Sequence, residues 1–99
     1  MKLMTNEIEK SLPTLYSQEC VKDPMVRVKY FCPWNNWVWY GYEYNPEQKL
    51  FFGYVKGEYN ELGYFSLSDI EEMVGPMGLK IERDLYFSPT PLSRIKRED

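Results

Sequence analysis

Tyr30-Phe31-Cys32-Pro33-Trp34-Asn35-Asn36-Trp37-Val38-Trp39-Tyr40-Gly41-Tyr42-Glu43-Tyr44 is the densest aromatic run in the chain. Aromatic side chains fit a pleated, half-buried surface, so the run predicts sheet. Across residues 37–44, Trp37, Trp39, Gly41 and Glu43 point one way and Val38, Tyr40, Tyr42 and Tyr44 the other. Both faces are apolar or amphipathic at one end, which predicts a central strand covered on both sides there. Pro33-Trp34-Asn35-Asn36 is a turn. Before it, residues 26–32 set Val26, Val28, Tyr30 and Cys32 against Arg27, Lys29 and Phe31, a half-buried alternation.

The same pattern continues downstream. Asn45-Pro46-Glu47-Gln48 fits a type I turn, with Asn first and Pro second. Residues 50–57 are a third strand, Glu58-Tyr59-Asn60 turns the chain, and residues 61–67 are a fourth. Such short connections require an antiparallel meander.

Helical signals flank the strands. Over residues 5–12, Thr5 can cap a helix, Glu7 and Glu9 favour its positive end, and Pro13 stops it. Met4, Ile8 and Leu12 share one face of it. Ser68-Asp69-Ile70-Glu71 reads as a capping box opening a second short helix to about Val74. Gly75-Pro76-Met77-Gly78 breaks it. Residues 80–87 read as a last strand, at a sheet edge or beside the first strand. Residues 93–99, with the basic cluster Arg94-Ile95-Lys96-Arg97, read as a solvated or frayed tail. The order α-β-β-β-β-α-β predicts an α+β domain with an antiparallel four- to five-stranded sheet and two short helices.

The totals limit the function. Ninety-nine residues, 43% hydrophobic and 27% charged, make one globular domain. The chain has no histidine, which removes Ser-His and Cys-His nucleophilic sites within it. Two cysteines, Cys20 and Cys32, cannot make a zinc site unaided. They are expected as free thiols in a cytoplasmic protein. No stretch approaches the ~20 apolar residues of a membrane helix, and the N-terminus lacks a signal-peptide core. No metal or other cofactor is expected.

Several segments are familiar together: Phe31-x-Pro33-Trp34-x-Asn36-Trp37-x-Trp39-Tyr40, Leu50-Phe51-Phe52-Gly53, Glu61-Leu62-Gly63-Tyr64-Phe65-Ser66-Leu67 and Gly75-Pro76-x-Gly78-Leu79-x-Ile81-Glu82-Arg83-Asp84. On these the chain resembles a family of small bacterial proteins classed as a domain of unknown function. The resemblance implies a compact domain and a setting on plasmids, conjugative transposons and other mobile elements. It implies no catalytic residue.

The candidate site residues are Trp34, Trp37, Tyr40, Tyr42, Glu82, Arg83 and Asp84. Trp37 and Trp39 are assigned to the core; Trp34, in the turn, has the best claim of the three to exposure. Tyr40, Tyr42 and Tyr44 form a face open to solvent, to a ligand or to the second helix. Glu82 and Asp84, ~7 Å apart on one strand face, can flank a water or metal, or pair with Lys29 or Arg27 across strands. The reading is a non-enzymatic accessory interaction protein of a mobile element, binding a protein partner through aromatic residues. The alternatives are single-stranded nucleic-acid binding through stacked rings and a small enzyme using Glu82 and Asp84. A net charge of −3 weighs against nucleic acid, whose binders carry a basic field.

Overall fold

Thr5 begins the first helix, its hydroxyl accepting the Ile8 amide at 3.2 Å, and Leu12 ends it. This helix, α1 (Asn6–Ser11), is far shorter than the ~12 residues an isolated helix needs, so packing must hold it. Ile8 and Leu12 supply that packing, together with Leu3 before the helix. The Tyr30 hydroxyl fixes the entry by donating to the Leu3 carbonyl at 2.6 Å. In the computed structural model, which describes residues 1–98, the aromatic run then builds the sheet.

The strands are β1 (Met25–Val26), β2 (Val28–Phe31), β3 (Val38–Asn45), β4 (Leu50–Lys56), β5 (Asn60–Ser66), β6 (Glu82–Arg83) and β7 (Thr90–Pro91). Five of them form an antiparallel sheet in the order β5-β4-β3-β2-β6, and β1 and β7 form a separate two-stranded ribbon. The architecture is α+β with the expected meander, and β3 is central. The strand expected over residues 80–87 is β6, which lies both at the edge and beside β2. It has two residues where eight were expected, because the chain turns at Asp84, whose Oδ1 accepts the Tyr86 amide at 2.9 Å. The first predicted strand is split at Arg27 into β1 and β2.

Both faces of the sheet are covered. On one, α1 and α2 (Leu67–Glu72) pack Leu12, Leu67 and Ile70 against Tyr30, Trp39, Phe51 and Phe65. Tyr30 and Phe51 are fully buried and meet edge to face, their centroids 5.7 Å apart. Burying each such ring stabilises the fold by about 1.5–3 kcal/mol. On the other face, Val26, Leu92 and Ile95 pack against Tyr40, Tyr42 and Tyr54.

Three sequence expectations are corrected. The second helix is capped by Ser66, which accepts the Asp69 amide, and not by Ser68. Among the described residues there are three α-helices rather than two: residues 93–97 of the expected tail belong to α3 (Leu92–Arg97), with Leu92 and Ile95 buried. Asp99, the last residue of that expected tail, lies outside the described residues. Tyr44 does not share a face with Tyr40 and Tyr42. Between Gly41 and Glu43 the register of β3 against β4 shifts, so the alternation slips by one residue. Tyr44 thereby joins Phe51 on the α1 side, their centroids 4.5 Å apart.

α3 has no capping side chain of its own. Asp23 supplies the cap from 70 residues away, accepting the Ser93 amide at 2.9 Å and the Ser93 hydroxyl at 2.6 Å. These bonds hold the Asp23 carboxyl below its ordinary value of 3.8. The folded value is the lower one, so this contact stabilises the fold above that pH and is lost as pH falls through the folded value. Amide protection across residues 92–97 is therefore expected to fail first on acidification, before that of β3 and β4. Asp23→Asn should remove this pH dependence. Equal loss in all elements would refute the assignment.

Candidate functional site

The register shift in β3 also creates the least expected feature of the molecule. It turns Glu43 to the side of Tyr42 and Phe52, where the residue is only 3% exposed. There Oε1 accepts the Tyr16 amide at 2.9 Å and Oε2 the Gln18 amide at 2.8 Å. A buried carboxylate needs such donors to offset its lost hydration. The result is an anchor: a turn that follows α1 by only a few residues is bolted to the centre of the sheet, with Tyr16 in a left-handed conformation (φ 70°). Replacing Glu43 by Gln sets an amide donor against a backbone donor. The expected cost is about 1.5–3 kcal/mol, with faster amide exchange at Tyr16 and Gln18. Unchanged exchange there would show that the carboxylate does not hold the turn.

Beside this anchor, aromatic rings step outward across three strands. Tyr42 on β3 meets Phe52 on β4 edge to face at 5.7 Å, and Phe52 meets Tyr64 on β5 at 4.8 Å. Tyr42 is buried, whereas Tyr64 is 51% exposed and Leu62, on the same face, 43%. Tyr16 and Val21, both exposed, close the other side of a groove of about 290 Å3. Lys22, Lys96 and Glu19 rim it. The Tyr64 hydroxyl is raised above the ordinary phenol value, chiefly by its hydrogen bond with the Tyr16 side chain. Burial raises Tyr42 as well, with the Glu43 charge adding to it.

The residues singled out from sequence are dispersed. Tyr40 and Tyr42 are buried beneath α3 and the ribbon rather than open to solvent. Trp34 is half-buried against the core, its ring over Gly75. Trp37 lies just before β3 and is the most exposed of the three tryptophans at 37%. The expected order of exposure of Trp34 and Trp37 is thus reversed. The turn that contains Trp34 folds it back onto the loop at Gly75, while Trp37 rests on Gly57 at the sheet's end.

Glu82 and Asp84 do not converge. Glu82 lines a groove with Met1, Lys2, Glu71 and Lys80. Asp84 lies past the end of β6 and lines another with Tyr40, Phe87 and Arg94. Asp84 pairs with Lys29 across the strands at 3.5 Å, one of the pairings expected for it. Arg83 lies on the Tyr30 side, where its charge counters part of the upward push that burial gives the Tyr30 hydroxyl. Its Nε is buried without a hydrogen-bond partner among the described residues. Among the described residues there is no group of three or more His, Cys, Asp or Glu placed to hold a metal ion. Cys20 is exposed and Cys32 buried, both free.

Tyr16, Leu62 and Tyr64 were absent from the sequence-derived set. Leu62 and Tyr64 stand two apart on a strand that the alternation did identify, but their exposure follows from β5 being outermost, which alternation does not encode. Among the described residues no helix is long and apolar enough to cross a membrane. No curated protein and no solved structure matches the chain. A family model does match, over residues 3–97, nearly its whole length: the chain belongs to the family described as protein of unknown function DUF2958.

Proposed function

We propose that this domain is a non-enzymatic accessory protein that binds another protein chain at the patch formed by Tyr16, Val21, Leu62 and Tyr64. The observation that carries this reading is the exposure of Leu62 and Tyr64 on an outermost strand, continuous with the buried aromatic row behind them. Tyrosine supplies rigid, amphipathic contact area and is enriched at interface hot spots. A patch with an apolar centre and a charged rim has the anatomy of a protein interface. The charges around it are mixed, Glu19 with Lys22 and Lys96, whereas a strand-tracking nucleic-acid groove is positive throughout. The mobile-element setting and the cytoplasmic compartment belong to the same proposal. The first rests on the family resemblance, and free cysteines agree with the second.

The test is capture from a bacterial host lysate on tagged protein, with and without nuclease. A protein partner should survive nuclease and be lost with Leu62→Lys or Tyr64→Ser, while Trp37→Ala retains it. Micromolar binding of single-stranded DNA or RNA that Trp37→Ala abolishes would overturn the proposal in favour of stacking on the exposed indole.

A further inference from the structure

The two edges of the five-stranded sheet are treated differently. At one, β6 has only two residues, both charged, and the Arg83 amide is covered by the Met1 sulfur at 3.2 Å. Short, charged, covered strands are how folded proteins blunt an edge. At the other, β5 runs for seven residues in unbroken register with β4. It has no proline and no lysine, and Glu61 is its one charge. Nothing in that sequence discourages a further strand.

The edge is also self-complementary. The Leu67 amide donates to the Lys49 carbonyl at 2.9 Å and the Gly57 amide to the Tyr59 carbonyl at 3.4 Å. These bonds bracket the pairs Ser66–Leu50 and Asn60–Lys56, so those are the non-hydrogen-bonded pairs of the ladder. By alternation Asn60, Leu62, Tyr64 and Ser66 direct their N–H and C=O groups away from β4. A second β5 running antiparallel about Gly63 meets them with the same four residues. Leu62 then lies opposite Tyr64 of the second copy, and Asn60 opposite Ser66. Glu61 faces Phe65 and not another carboxylate. Every outward backbone group is paired, no like charges oppose, and the two exposed apolar patches merge across the axis.

We infer that β5 is the interface of a two-fold dimer of this chain, making one continuous ten-stranded sheet. This rests on reading the Tyr64 patch as a protein-binding surface and names a second copy as its occupant. Such an interface is isologous and closes on itself, so assembly stops at two.

Gly63 gives a register-specific test. An added Cβ there meets nothing within 4 Å. In the dimer the two Gly63 residues form a non-hydrogen-bonded pair, with Cα atoms about 4.5 Å apart, within the range a disulfide spans. In a Cys20→Ser background, Gly63→Cys should form a covalent dimer on mild oxidation that reductant dissolves. Glu61→Cys should not, since its two copies are offset by four residues, about 13 Å along the strands. Sedimentation of the native chain should show the mass rising from one chain to two with concentration. Leu62→Pro removes an outward amide that the β4 ladder does not use. It should stay monomeric, with circular dichroism confirming the fold. A single-chain mass at every concentration, or crosslinking through residue 61 as fast as through 63, would overturn the dimer. Lysate capture that Tyr64→Ser still abolishes would then leave the patch to a different protein, whereas loss of both results would end the patch reading itself.

Discussion

Gly53→Ala is expected to destabilise this protein by more than about 4 kcal/mol, a magnitude that single substitutions reach only through a named structural fault. The fault here is an approach of backbone to backbone. A Cβ on Gly53 would overlap the Tyr40 carbonyl oxygen and stand 2.8 Å from its carbon. No rotamer change relieves that contact, because neither atom belongs to a side chain. β3 and β4 must separate at the pair Gly41–Gly53, next to the register shift that places Glu43 and Tyr44. Both cores draw on β3, so the strain spreads to both. Domains of this size have only ~5–15 kcal/mol in total, so the variant should lose much or all of its cooperative urea transition at ambient temperature. Gly63→Ala is the control on the neighbouring strand: its Cβ enters open space, and its effect should stay within about 0.5 kcal/mol. A Gly53→Ala variant unfolding within 1 kcal/mol of the native chain would show that the strands adjust more freely than their backbones allow.

That contrast marks what sequence could and could not reveal. The strands β3 to β5 were legible because alternation and turn chemistry agree. Asn45 does what an Asn opening a turn should, its side-chain oxygen accepting the Glu47 and Gln48 amides. The register shift was not legible. One extra residue in a strand of tyrosines leaves the composition unchanged, yet it moved Tyr44 to the opposite core and turned Glu43 inward. The frame of the second helix was ambiguous in a different way. Ser66 and Ser68 each precede an acidic residue three positions later, so two overlapping caps were available. Packing of Leu67 and Ile70 on the sheet selected the earlier one. In residues 92–97 the basic side chains masked a two-residue apolar stripe, Leu92 and Ile95, and the cap that starts this helix comes from Asp23. A contact spanning 70 residues has no local signature. The candidate patch was hidden for the same reason, since it joins a turn near residue 16 to the outermost strand.

The three tryptophans offer the second large effect, because one composition feature divides into three environments. Trp39 is 6% exposed and sits in the core shared with α1 and α2. Trp39→Ala should cost about 3–5 kcal/mol, the range for emptying a large aromatic site that cannot collapse. Collapse is hindered here because the walls are other rings held by the strands, among them Phe51 stacked on Phe65 with centroids 4.8 Å apart. Trp37 keeps 37% of its surface in water and leans on Trp39 at 5.9 Å. Its loss removes a lid rather than a core member, and about 1–2 kcal/mol is expected from the area uncovered. Trp34 should fall nearer Trp37 than Trp39, since it packs on the outside of the same core over Gly75. Urea denaturation of the three alanine variants measures the order directly, with Trp39 first by at least 1 kcal/mol. Acrylamide should quench Trp37 most strongly in the native state and Trp39 least. If Trp37→Ala proved as costly as Trp39→Ala, the exposed indole would be structural, and its availability for stacking on a nucleic-acid base would disappear with it.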